Sequence, residues 1–502
     1  MATEPARPSG QSHYAPILLG AALLLWPAAV NHYPLVFSDT GTYLSQAPHR
    51  YLGWDRPVFY SLFLLPLHLT LTTWPAIVVQ ALLAAHTLHL LHRTLLPSVS
   101  AWWLLPLILA LTLATALPWL ASELMPDLFT GLLVLTLGLL LFGAATLSRG
   151  DRAWLTAFAA FMIATHQSHL PLVLLLLALL LPLRCWLGPN SWHDATRVLV
   201  APALACVALV AVNVAGHHRA SVAPFGNVFA LARVIYDGPG MRVLERECPK
   251  THWRLCAYLG HFPATADLFL WQPDGPVARA GGAKTVSAEA DPIIVSALVA
   301  EPLTELRAVF ANATRQLTLF ATGDGLQAWP ATVTPWILGD FPRFEADAYL
   351  ASTQTEGTLR LPAWFVTLHR VVALIGVVTC GALLPVALCR RHRAVGFLAL
   401  VLVALPVNAL ILGGLSGPHD RYQSRVMWLP PLLAALAIPA LASRASKIPA
   451  PANPPWVPPG LALPKLPRPP VPALRLPAPP PAVPGLALPP SPRPAQGRRS
   501  AA

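Results

Sequence analysis

The sequence predicts an all-α polytopic membrane protein of about ten transmembrane helices, and three observations carry that expectation. Of its 502 residues 55% are hydrophobic and 11% charged, with a mean hydropathy of +0.56, more apolar surface than a soluble core hides. Apolar runs at 15–30, 104–117 and 128–142 approach the roughly 20 residues that cross a bilayer. When the runs are laid across a membrane, every short loop on one side is basic.

The spans fall near 14–32, 74–92, 101–121, 127–147, 153–165, 170–183, 197–215, 366–388, 394–415 and 426–443, the fifth and sixth being short. The first follows a short polar start containing Arg7 and lacks a small-residue cleavage site, so it reads as an uncleaved signal anchor. With the N-terminus inside, the cytoplasmic connections contain Arg93; Arg149 and Arg152; Arg184 and Arg197; Arg390, Arg391 and Arg393; and Arg444 with Lys447. Of the 22 acidic residues, Glu4, Asp151 and Asp194 alone fall inside. The expected location is a bacterial-type inner (plasma) membrane, with both termini cytoplasmic and the large loop periplasmic. A net charge of +12 is spread between apolar runs and forms no basic face, which argues against nucleic acid as a partner.

Four regions follow from this layout: an N-terminal transmembrane module (1–215), an inserted extracytoplasmic domain of mixed α character (216–363), C-terminal transmembrane helices (364–445) and a disordered, Pro-rich, basic cytoplasmic tail (446–502). The insert carries turn signals and apolar patches sufficient for a small core. Cys248 and Cys256, eight apart in C-P-K-T-H-W-R-L-C, are placed to close a disulfide loop in an exported region; no second Cys/His pair supports zinc. Cys185, Cys206, Cys380 and Cys389 lie in or beside apolar segments and read as packing residues. The Asn312-Ala-Thr sequon reads as a chance occurrence. The tail has no acidic residue and too much proline for a helix. It reads as a solvated linker, with docking on anionic headgroups as the alternative.

Polar residues collect on the outer face. The first outer loop offers F-S-D-T-G-T-Y-L, with Asp39 and Tyr43, and then G-W-D-R-P-V-F-Y, with Asp55 and Arg56. A very short loop carries Glu123 and Asp127, a third His166 and His169, and the last holds His419, Asp420, Arg421, Tyr422 and Arg425. Ionisable groups at the ends of packed membrane helices are costly unless paired or hydrated, so a cluster on one side marks a cavity with a function. Plainer roles exist for each: Asp39 as a helix N-cap, Arg56 and Arg425 snorkelling to headgroups, the histidines as packing residues. Asp39 is the expected general base, while Arg421 and Arg425 supply guanidinium donors suited to phosphate. Asp39, Asp127, Glu123 and the two histidines also offer ligands to a divalent cation, without a spacing that specifies one.

These residues resemble the GT-C membrane glycosyltransferases, which take sugars from polyprenyl-phosphate donors. Asp39 in D-T-G-T-Y-L matches the acidic residue of that family's first outer loop, and Arg56-Pro57-Val58-Phe59-Tyr60 is similar to the proline-aromatic start of its interfacial helices. Glu123 or Asp127 matches a second outer acidic motif, and Arg421-Tyr422 a late Arg-Tyr pair. The resemblance covers 14–185 and 394–443 in pattern. It implies an inverting transferase with Asp39 as catalytic residue and the others as substrate-binding residues, acting on a polyprenyl-phosphate-linked sugar within the lipid bilayer. The chain departs from it by having His166 and His169 where many relatives carry lysine, and by the large insert. A transporter and a non-enzymatic scaffold of envelope polysaccharide assembly are the alternatives. The first wants charged or broken helices at mid-membrane and repeated halves, and the sequence shows neither clearly.

Overall fold

The computed structural model describes residues 14–187 and 196–443; the proline-rich tail, Arg444 and Lys447, Asp194 and the N-terminal Glu4 and Arg7 lie outside them. Secondary structure among the described residues is helical, apart from one isolated parallel bridge between Leu35 and Glu123. The N-terminal half contains α1 (Tyr14–Leu23), α2 (Trp26–Asn31), α3 (Thr40–Ser45), α4 (Phe59–His68), α5 (Trp74–Leu95), α6 (Leu104–Ala114), α7 (Leu117–Ser122), α8 (Asp127–Phe142), α9 (Arg149–Thr165), α10 (His169–Leu187) and α11 (Val200–His217). The middle of the chain adds α12 (Gly226–Tyr236), α13 (Pro239–Glu247), α14 (Ala266–Trp271), α15 (Pro276–Arg279), α16 (Ala283–Ala300), α17 (Pro302–Thr318), α18 (Thr334–Asp340) and α19 (Arg343–Leu350). The last four helices are α20 (Ala363–Cys389), α21 (Ala394–Ala409), α22 (Asp420–Met427) and α23 (Leu429–Ala442).

Seven helical stretches among the described residues are long and apolar enough to cross a bilayer: Tyr14–Asn31, Trp74–Leu95, His169–Leu187, Arg197–His217, Ala363–Cys389, Ala394–Gly414 and Asp420–Ala442. Their apolar side chains are not all turned inward. Leu374, Ile375 and Val378 on α20, and Leu204 and Val207 on α11, are exposed, a pattern that suits lipid and not water. The segments expected at 101–121, 127–147 and 153–165 are helical but shorter. Thr115 is extended and Pro118 opens the next turn, so the first divides into α6 and α7. The second is α8, 16 residues long. The third is α9, which begins with Arg149, Asp151 and Arg152 under a capping box from Ser148, and Asp151 accepts from Arg93 at 2.6 Å.

The apolar core lies in two clusters. The larger gathers the long helices together with Val333, Ile337, Phe341 and Tyr349 from α18, α19 and their flanks. The smaller is built by α12–α16 and takes Trp54 of the first loop against its edge. Residues 216–363 therefore serve two cores. The first part surrounds its own cluster and contains the Cys248–Cys256 disulfide. The second part is knitted to the start of the chain, where the buried Glu345 accepts from Tyr33 Oη at 2.9 Å and from Thr73 N–H at 2.8 Å, and Gln354 bonds both N–H and C=O of Val36.

Candidate functional site

Helix α7 ends at Ser122 and leaves Glu123 extended, and the chain after α2 runs beside it. Leu35 N–H donates to Ser122 O (2.9 Å) and Leu124 N–H to Leu35 O (2.8 Å). Thr40 Oγ1 accepts Phe37 N–H at 2.9 Å and donates to Leu124 O at 3.2 Å. This short pairing fixes the 37–40 turn against the 122–127 turn. From the α5 side, Gln80 Nε2 donates to Glu123 O at 2.9 Å, and Tyr60 Oη donates to Gln80.

Asp39 occupies the N-cap position of α3, but its side chain makes no cap hydrogen bond. The carboxylate turns instead to Arg56, whose Nε and Nη2 lie 2.9 and 2.7 Å from Oδ2. Arg56 also donates to the Asp55 carbonyl at 2.9 Å and has the Asp55 carboxylate 3.7 Å away.

The opposing charges arrive on α22. Gln316 of α17 holds the start of that helix by accepting His419 N–H at 2.9 Å and donating to His419 O at 2.7 Å, and Asp324 accepts Arg421 N–H at 3.0 Å. The Arg421 guanidinium lies 3.7 Å above the Phe37 ring, with Nη2 4.0 Å from Asp39 and Nε 3.9 Å from Asp127. Arg425, wholly buried, sits 2.6 Å from the equally buried Asp127. That contact is a charge pair without hydrogen-bond geometry, since both Asp127 oxygens and the Arg425 nitrogens lack a hydrogen bond. Close helix packing makes the contact possible: a Cβ at Gly131 would lie 2.5 Å from the Trp428 ring. Gly131 is one turn beyond Asp127, and Trp428 is three residues beyond Arg425.

The electrostatics separate the two outer acids. Burial drives the Asp39 carboxyl upward, but the Arg56 and Arg421 charges outweigh it and hold the carboxyl below its ordinary range. Asp39 is ionised at any physiological pH. Burial, and then the Asp127 charge, push Glu123 well up against the opposing arginines, which favours the protonated acid. Burial also raises the Tyr43 phenol and the Asp55 carboxyl. His166 is driven down by burial and by the Arg425 charge, so its ring is neutral. Tyr43 Oη, Arg421 Nη1 and the three Arg425 nitrogens are buried without a hydrogen-bond partner. These unmatched donors belong to three side chains of one cluster.

Of the residues singled out from sequence, Asp39, Tyr43, Asp55, Arg56, Glu123, Asp127, Arg421 and Arg425 are brought together, and Tyr422 places its ring 5.4 and 5.1 Å from the two α22 guanidiniums. His169 lies beside them with its bonding capacity filled: Nδ1 donates to Met162 O at 2.7 Å and Nε2 meets Thr130 Oγ1 at 2.9 Å. His166 stacks obliquely on it at 5.2 Å and bonds Ser168. His419 faces away, toward Asp267 of α14 at 3.3 Å. Sequence reasoning passed over Phe37, Gln80, Gln316 and Asp324. Asp324 alone had a local signal, the G-D-G turn, and the others become visible only through contacts distant in the chain.

Among the described residues no group of three or more His, Cys, Asp or Glu is placed to hold a metal ion. The site's acids are matched by arginines, which compete with a cation for the same oxygens. No protein-family model matches the chain, and no curated protein and no solved structure shows significant similarity to it.

Proposed function

We propose that this protein is a membrane glycosyltransferase that moves a sugar from a polyprenyl-phosphate donor to an acceptor hydroxyl at the extracytoplasmic face. The observation that carries the reading is the meeting of Asp39 with Arg421 and of Asp127 with Arg425, together with the buried, unmatched donors on both arginines and Tyr43. Guanidinium donors in a water-poor site suit a phosphate leaving group, whose charge grows as its bond to the sugar breaks. In the proposed step the acceptor oxygen bonds to the anomeric carbon on the face opposite the phosphate. The carbon–phosphate-oxygen bond breaks with its electron pair going to the phosphate, and the acceptor proton passes to Asp39. Arg56 keeps that carboxylate ionised and aimed, and Arg421 and Arg425 take up the phosphate charge.

The reading takes the membrane layout in its ten-span form, with α6–α7, α8 and α9 as further crossings, the termini in the cytoplasm of a bacterial-type inner membrane and residues 216–363 outside. The Cys248–Cys256 disulfide supports an oxidising compartment for the middle of the chain.

The test is transfer of labelled sugar from a polyprenyl-phosphate donor by purified protein in nanodiscs. Asp39→Asn is expected to lower transfer by about 10²- to 10⁴-fold, the usual worth of a general base, while thermal unfolding stays cooperative. Unchanged transfer by that variant removes Asp39 from the mechanism.

A further inference from the structure

At roughly 3.6 residues per turn, helix α17 presents three different sides. One holds Glu305, Ala313 and Gln316, which are buried against the rest of the protein. Beside it Leu303, Leu306, Phe310 and Leu317 fall within an arc of about 60° and are exposed, Leu303 to 67% and Phe310 to 56%. Arg307 and Arg315 lie on the remaining side and are exposed as well. The sole acid within α17, Glu305, is on the buried side, so the exposed part of the helix carries positive charge and no negative charge. The apolar strip continues through the turn onto the end of α16, where Val295, Leu298 and Val299 are exposed. Glu301, in the turn itself, is held by Arg242 at 2.5 and 2.6 Å. Toward the other end of α16 the exposed residues become polar, with Lys284 and Asp291.

The depth of this strip follows from what α17 packs on. The span Ala394–Gly414 has 21 residues, about 30 Å of helix, which equals the hydrocarbon thickness of a typical bilayer. Gly413 and Gly414 therefore stand at the edge of the hydrocarbon, and α17 rests on both: a Cβ at Gly413 would lie 2.8 Å from the Asn312 carbonyl oxygen, and one at Gly414 3.0 Å from Val309 Cγ1. Leu415, the next residue, is 54% exposed. The strip is thus continuous with the lipid-facing surface of the spans. An apolar strip of this extent is unfavourable in water. A helix whose apolar side is bordered by arginines at that depth has the design of an interfacial helix, its apolar side entering the acyl region while its cations meet lipid phosphates. A protein covering the strip has to displace lipid there, which makes lipid itself the simpler occupant.

We propose that the α16–α17 hairpin is an interfacial membrane anchor: the strip from Val295 to Leu317 lies among acyl chains at the headgroup boundary, and Arg307 and Arg315 take the phosphates of anionic lipids. The helix that holds the start of α22 through Gln316 is then itself seated on lipid. The anchor is independent of the transferase reading.

Photocrosslinking tests it, with p-benzoylphenylalanine in place of Phe310, Leu303 or Lys284 of the full-length protein in vesicles of equal phosphatidylcholine and phosphatidylglycerol, and adducts read by mass spectrometry. All three side chains are exposed, so the replacements leave the packing intact. Positions 310 and 303 are expected to attach to acyl chains, and position 284 is not. With Arg307→Gln and Arg315→Gln together, the ratio of phosphatidylglycerol to phosphatidylcholine among adducts at 310 should fall by about fivefold for each arginine, the worth of one basic side chain near an anionic surface. Absence of lipid adducts at both 310 and 303, equal labelling at 284, or attachment of 310 to a second copy of the chain overturns the anchor. An unchanged lipid ratio in the double variant overturns the assignment of the two arginines to phosphate. Sugar transfer enters none of these readouts, so the anchor and the transferase reading fail separately.

Discussion

Arg425 and Asp127 are each wholly buried and face one another at 2.6 Å, and such a pair is judged by what its disruption leaves behind. Removing one partner strands a charge in a dry interior, at a cost of about 3–5 kcal/mol. Asp127→Ala is therefore expected to lower the thermal unfolding midpoint severely, and Asp127→Ala combined with Arg425→Met to recover much of the loss; equal damage in the single and double variants would mean that charge was not the cause. Glu123 supplies a pH signature. Burial raises its folded carboxyl from 4.5 to about 8, so the native state retains a proton that the unfolded chain releases. Its contribution to stability is full below about pH 4.5 and is lost as the pH climbs to about 8. Unfolding midpoints should fall across that window, and Glu123→Gln should flatten the slope. The ionisable members of the site were legible in the sequence because charged residues beside apolar runs stand out. Their partnerships were not: Asp39 read equally well as a cap, and only the position of Arg56 decides that its carboxylate serves an ion pair.

At the level of elements, apolar runs of sufficient length predict helices well, and all ten expected spans are helical. Boundaries were less legible where a polar or extended residue interrupts the run. Thr115 and Pro118 break one expected helix in two, and the second piece stops at Ser122, which leaves the extended Glu123 beside Leu35. Gln80 in the middle of α5 reads as an isolated polar residue, yet it carries the Glu123 carbonyl. Close approach between helices was hidden as well. Gly413 and Gly414 lie in a π-turn after α21, and a Cβ at Gly413 would come 2.4 Å from Gln316 Cβ. The same contact seats α17 where Gln316 reaches the start of the arginine helix. Glycine in an apolar run gives no hint of which neighbour needs the space.

For the whole molecule, the proposed layout sets the acid–arginine cluster at the outer ends of the helices and the basic connections on the opposite side. Alkaline phosphatase fused after residue 300 should be active, and fused after residue 392 inactive, since that reporter works only when exported; the inverse pattern would place the cluster in the cytosol. The middle of the chain read from sequence as a single polar insert. Its division between two cores escaped notice because the amphipathic helices α18 and α19 do not announce which apolar partner they will meet. The two halves of the site are also separated in time. The carboxylates of Asp39, Glu123 and Asp127 are synthesised roughly 300 to 390 residues before Arg421 and Arg425, a wait of about 15–80 s at 5–20 residues per second. A nascent chain halted before α22 already carries Arg56 for Asp39 but holds Asp127 without its arginines, so that turn must stay hydrated or protonated until translation is nearly complete.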